Sequence, residues 1–130
     1  MSADDGARRE AFRAMAQAVK AGLPLADTIE RIGGLVPARR RPRHGERAYL
    51  CPFHEEATPS LHAQERPGGV WLCRGCGARG DVFHFAARIW RVPVAEAIRR
   101  LAREEGHDAP DPTAAEAARE RRAAARRREA

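Results

Sequence analysis

The sequence predicts an α+β fold in which α-helices flank a small antiparallel β-sheet carrying two paired-ligand knuckles. Three observations predict it. Apolar residues recur at helical spacing on both sides of the middle of the chain. Short apolar runs between turn residues fill the middle itself. Within those runs a C-x2-H pair and a C-x2-C pair stand 18 residues apart. At 130 residues the chain is bounded at one modest domain plus tails. A core of that size is marginal by itself, so a structural metal is the expected staple.

The elements follow in order. Residues 1–23 are expected to form an N-terminal helix, with Phe12, Met15 and Val19 at helical spacing and Gly22 near its end. "LADTIERIGG" predicts a second short helix, with Leu25, Ile29 and Ile32 on one face and glycines stopping it. From Leu35 to Leu50 the prolines argue against helix, and two extended pieces are expected around a turn at Gly45. "SLHAQ" and "GVWLC" are strand candidates that join the Tyr49 strand in the sheet. Asp81 is placed to cap a helix over "VFHFAARIW", with Phe85 and Ile89 spaced for the core. Pro93 opens another helix, where its missing amide costs nothing, and Val94, Ala97, Ile98 and Leu101 face inward until Gly106. Residues 108–130 are Ala/Arg-rich with no apolar stripe, which predicts a mobile tail or at most a solvated helix.

The knuckles carry the chemistry. Cys51 with His54, and Cys73 with Cys76, are spaced so that both side chains of each turn reach one ion. A Cys3His set suits tetrahedral Zn2+, and four protein ligands close the site, which is the arrangement of a structural rather than a catalytic zinc. Gly75 and Gly77 suit the backbone of the second turn. A disulfide framework fits poorly, because three cysteines leave one over. A redox C-x2-C would leave Cys51 and His54 without a role. His62 reads as a sheet-face residue and His84 as a helix-surface or packing residue, neither with knuckle spacing.

The N-terminus is polar and acidic where a secretory signal would be basic and then apolar, and no stretch approaches a membrane span. The expectation is therefore a cytoplasmic chain with reduced thiols. Formal net charge is +6, and 23 of the 24 basic residues are arginine, Lys20 being the exception. Such a surface favours a polyanionic partner, although a merely soluble charged surface remains the plainer alternative. Arg39, Arg40, Arg41 and Arg43 crowd one loop, Arg47 follows it, and Arg74 and Arg79 lie in and after the second knuckle. With Trp71 they form the candidate nucleic-acid-binding set. Strand alternation leaves two readings of Trp71 open, as a base-stacking platform on an exposed sheet face or as core beneath helices.

"CPFHEEATPSL", "CRGCGARGDVFHF" and "PVAEAIRRLAREEG" together resemble the N-terminal zinc-binding domain of bacterial DnaG-type DNA primases. The resemblance runs in order from about residue 24 to 106, so residues 24–107 are assigned to a primase-like zinc-binding domain. It implies a zinc ribbon on a small antiparallel sheet, with Cys51, His54, Cys73 and Cys76 as ligands of one structural zinc. It also implies binding of single-stranded DNA template during RNA primer synthesis in replication. Gly80 and Asp81 match the family's helix-opening pair, and Thr58, Pro59 and Ser60 its strand after the first knuckle. The chain departs from it at Ala57, where many relatives carry lysine, and at Arg74, where they carry an aromatic. No cluster of acidic residues for magnesium-dependent phosphoryl transfer is legible. The expectation is thus a free-standing module with no catalytic centre of its own, partnered by a separate primase polymerase chain, with a replicative helicase as a further candidate partner. The alternatives are a zinc-ribbon DNA-binding regulator and a protein–protein adaptor unrelated to priming.

Overall fold

Helix α1 (Ala3–Ala21) starts with Asp4 and Asp5 and ends with Lys20, charges that complement the helix dipole. It buries Val19 and lays Phe12, Met15 and Ala16 partly against the core. Helix α2 (Leu25–Gly33) buries Leu25, Ala26 and Ile29 and closes at Gly34, whose φ of 65° is the left-handed value that glycine adopts without strain. The computed structural model describes residues 3–55 and 57–129. Met1, Ser2, Glu56 and Ala130 lie outside the described residues, and with them the ends of the expected N-terminal helix 1–23 and tail 108–130.

Strands β1 (Glu46–Tyr49), β2 (Leu61–Gln64), β3 (Trp71–Cys73) and β4 (Arg79–Gly80) form one sheet in sequence order, each pair antiparallel. The sheet contains a strand the sequence pattern did not predict, since two residues inside "GARGD" carry no apolar alternation. The register puts Tyr49, Leu61 and Cys73 in one row and Arg47, Ala63 and Trp71 in the next. Those rows face the helices. The intervening row of Ala48, His62, Leu72 and Arg79 lies on the opposite face, where Leu72 is 40% exposed.

Helix α3 (Val82–Trp90) follows β4 directly, and its cap is reciprocal. The Asp81 carboxylate accepts from the Phe83 and His84 amides while the Asp81 amide donates to His84 Nδ1. A Cβ on Gly80 would stand 2.5 Å from His84 Cβ, so only glycine fits beside the cap. Helix α4 (Val94–Glu104) begins after Pro93 and buries Ala97, Ile98 and Leu101. Phe53, Trp71 and Phe85 meet at the centre with ring centroids 5.5–5.6 Å apart. The Ala/Arg-rich segment, expected as a mobile tail, is instead helical as α5 (Ala114–Glu129), joined to the body through Arg8–Glu116 and Arg99–Glu120 ion pairs. Among the described residues no helix is long and apolar enough to cross a membrane.

Candidate metal centre

Both knuckles emerge at the same end of the sheet because the register forces it. The row Tyr49–Leu61–Cys73 ends β1 and β3 together, and the first knuckle leaves β1 while the second leaves β3. Each turn is tied by amide-to-sulfur hydrogen bonds. The Phe53 amide reaches Cys51 Sγ at 3.4 Å, and the Gly75 and Cys76 amides reach Cys73 Sγ at 3.3 and 3.5 Å. Gly77 sits at φ 78°, and its amide returns to the Cys73 carbonyl at 2.9 Å.

The four ligand atoms of Cys51, His54, Cys73 and Cys76 lie within 4.8 Å of one another. Cys51 and Cys76 sulfurs are 3.9 Å apart, and Cys73 Sγ lies 4.0 Å from His54 Nδ1. Zn–S bonds of ~2.3 Å at tetrahedral angles require sulfurs ~3.8 Å apart, so the set fits a zinc ion. His62, His84 and His107 are not part of the group. With all four positions taken by side chains, the ion is one structural zinc.

As bare thiols the ligands differ in acidity. Burial pushes the Cys51 thiol up to about 12, reinforced by its sulfur neighbours. Burial also raises the Cys76 thiol, but the Ala78 amide, the two other thiols and the Arg88 charge outweigh it and hold it below its ordinary value. Three thiolates and a neutral imidazole leave the zinc-bound group at net −1. Arg88, which the sequence reading did not single out, stacks over the Phe53 ring at 4.2 Å beside this anionic centre. Its signal was positional: it lies on α3, the helix that begins just after the second knuckle. Lys20 was likewise missed as a partner of Asp81, at 2.7 Å.

The structure sorts the candidate nucleic-acid residues. Trp71 is 1% exposed and donates from Nε1 to the Asp81 carbonyl at 2.7 Å. Its expected base-stacking role is therefore corrected to core packing, because α2 and α3 cover that face of the sheet. Arg47 is corrected as well. It is held by Asp27 at 2.9 Å, Glu30 at 2.6 Å and Glu65 at 2.8 Å, so its charge is spent on α2 and β2's end. The hydrogen bond to Glu30 contributes most to holding its guanidinium above the usual range. Arg41 pairs with Glu65 at 2.6 Å. Arg39, Arg40 and Arg43 are exposed on the loop before β1. Arg74 and Arg79 are exposed at the ribbon, Arg79 on the outer face across from Leu72.

The sequence model described as CHC2 zinc finger matches residues 14–117. A DNA primase of Geobacillus stearothermophilus is 37% identical over 94 residues, 71% of this chain and 14% of that protein. One from Mycobacterium bovis is 38% identical over 91 residues, 69% of this chain and 13% of that protein. This chain thus spans about one seventh of the length of these relatives. A crystal structure of the zinc-binding and RNA polymerase domains of Aquifex aeolicus primase matches the fold with a TM-score of 0.62. That match covers 72% of this chain and 22% of the other at 24% identity. With the ligand set in place and the match spanning all four ligands, the chain belongs to the CHC2 zinc finger family, the zinc ribbon of DnaG-type primases.

Proposed function

We propose that this chain is the template-binding zinc module of a DNA primase, holding single-stranded DNA for RNA primer synthesis. The observation that carries the reading is the outer sheet face. It bears Leu72 and Arg79 exposed and His62 half-buried, with Arg74 at its edge and Leu50 and Val70 exposed at 50% and 55%. An apolar strip beside exposed arginines suits unstacked bases with phosphates alongside. Arg39, Arg40 and Arg43 extend the positive charge along the loop that precedes β1.

The polymerase centre in this reading lies outside these 130 residues, in the sequence expectation on a separate chain, with a replicative helicase as a further partner. Relatives of which this chain covers 13–14% leave ample length for such a centre. The module contributes position. The zinc ribbon fixes the sheet, the sheet fixes the strand, and a strand held in register lowers the barrier to starting a primer by up to about 7 kcal/mol. Initiation should therefore depend on the module far more than extension of an existing primer. The test is a fluorescence titration of matched single and double strands at several salt concentrations. The account expects preference for the single strand and a log–log salt slope of about −0.7 per phosphate contact. Equal affinity for both forms, or no salt dependence, overturns it.

A further inference from the structure

Five arginines of α5, Arg119, Arg121, Arg122, Arg126 and Arg127, are exposed. Its N-terminal half is fastened to the body by Glu116 to Arg8 and Glu120 to Arg99. Beyond Glu120 the helix continues with Arg121, Arg122, Arg126 and Arg127. Among the described residues none of these forms an ion pair or hydrogen bond, and neither does Arg119. Arg119, Arg122 and Arg126 fall within about 60° of one another around the helix, spread over about 10 Å of its length. Like charges at such i, i+3 and i, i+4 spacing repel, so the stripe destabilises the bare helix. No apolar stripe offsets this, since the other positions of α5 are alanine, glutamate and further arginines. A face of that kind is stabilised by an external polyanion. A groove of about 770 Å³ between α4 and α5 carries both signs of charge, with Arg91, Arg100 and Arg121 beside Glu96, Glu104 and Glu120. Arg100 is held rigid there, 3.9 Å over the Trp90 ring.

We infer that α5 is a second nucleic-acid contact, separate from the ribbon's outer face, gripping a phosphodiester backbone along Arg119, Arg122 and Arg126. Charge complementarity selects a nucleic acid over a neutral or cationic partner, and contacts to phosphate do not distinguish DNA from RNA. The contact does not require the template reading of the sheet face, and each surface fails or stands alone.

The experiment compares the zinc-loaded wild-type chain with R119Q/R122Q/R126Q and with R119K/R122K/R126K. Each is titrated with a single-stranded DNA, the RNA of the same sequence and the DNA duplex across a salt series. Zinc content and ellipticity are measured alongside, and R74A/R79A serves as the ribbon control. The glutamine variant should keep its zinc and helix content while its salt slope on single strands flattens by about 2, three contacts at about 0.7 each. The lysine variant should restore the slope. The arm that loses most affinity identifies DNA or RNA as the strand held. An unchanged slope in the glutamine variant on all three nucleic acids overturns the proposal. So does a loss that lysine does not restore. If R74A/R79A alone binds normally, the sheet-face reading fails while this one stands.

Discussion

Trp71 and Arg47 look alike in sequence, an aromatic and a cation on strands beside the knuckles, and both fold inward. The Trp71 indole fills the space between Phe53 and Phe85, and its N–H satisfies the Asp81 carbonyl. Alternation alone assigned Trp71 to one face but not which face the helices cover, because that depends on chain path rather than local pattern. Trp71→Phe should cost about 1–3 kcal/mol in denaturant unfolding by orphaning that carbonyl. Its single-strand affinity should stay at the wild-type value, and a selective loss of affinity at unchanged stability would return Trp71 to the binding face. Arg47 tells a parallel story of charge. Its partners Asp27, Glu30 and Glu65 come from three places in the sequence, so no local motif announced them. Arg47→Met leaves those carboxylates facing one another and should destabilise the fold by about 2 kcal/mol. Loss of strand binding without that destabilisation would contradict the structural role. The ligands were legible for the opposite reason, since each knuckle is local and zinc geometry dictates its spacing.

Among the elements, α2, α3 and α4 were legible from apolar spacing and from caps at Asp81, Pro93 and Gly34. Strand β4 was not, and neither was the helical state of α5, because the missing apolar stripe pointed to a mobile tail. A signal for α5 was nonetheless present: Thr113 and Glu116 form a reciprocal cap, with bonds of 3.1 and 2.8 Å, in the T-x-x-E pattern. The α3 cap carries a pH signature. Burial pushes the Asp81 carboxyl up, but hydrogen bonds from His84 and Lys20 outweigh it and hold the group well below the usual carboxylate range. A depressed folded pKa contributes stability that is complete above the unfolded value of about 3.9 and is lost as pH falls below it. Asp81→Asn should thus be destabilised relative to wild type by a constant amount from pH 7 to 5. The gap should then narrow as pH falls through about 4. A gap that widens on acidification would show that the cap does not act through the ionised carboxylate.

For the whole molecule, one small core joins the helices to one face of the sheet, the other face exposes Leu72 and Arg79, and the knuckles hold the strand ends together at one edge. Such a core is too small to hold two buried thiols and an exposed third, Cys76, in place unaided. Metal binding and folding of the ribbon should therefore be a single event, with most of the binding free energy appearing as folding free energy. The most direct test is to strip the chain with a chelator, return zinc in steps, and follow amide exchange in β2 and β3. The account predicts that Leu61–Gln64 and Trp71–Cys73 are unprotected without metal, become protected together, and reach full protection at one zinc per chain. Protection of those strands in the metal-free chain, or in a Cys73→Ser variant that takes up no zinc, would contradict it.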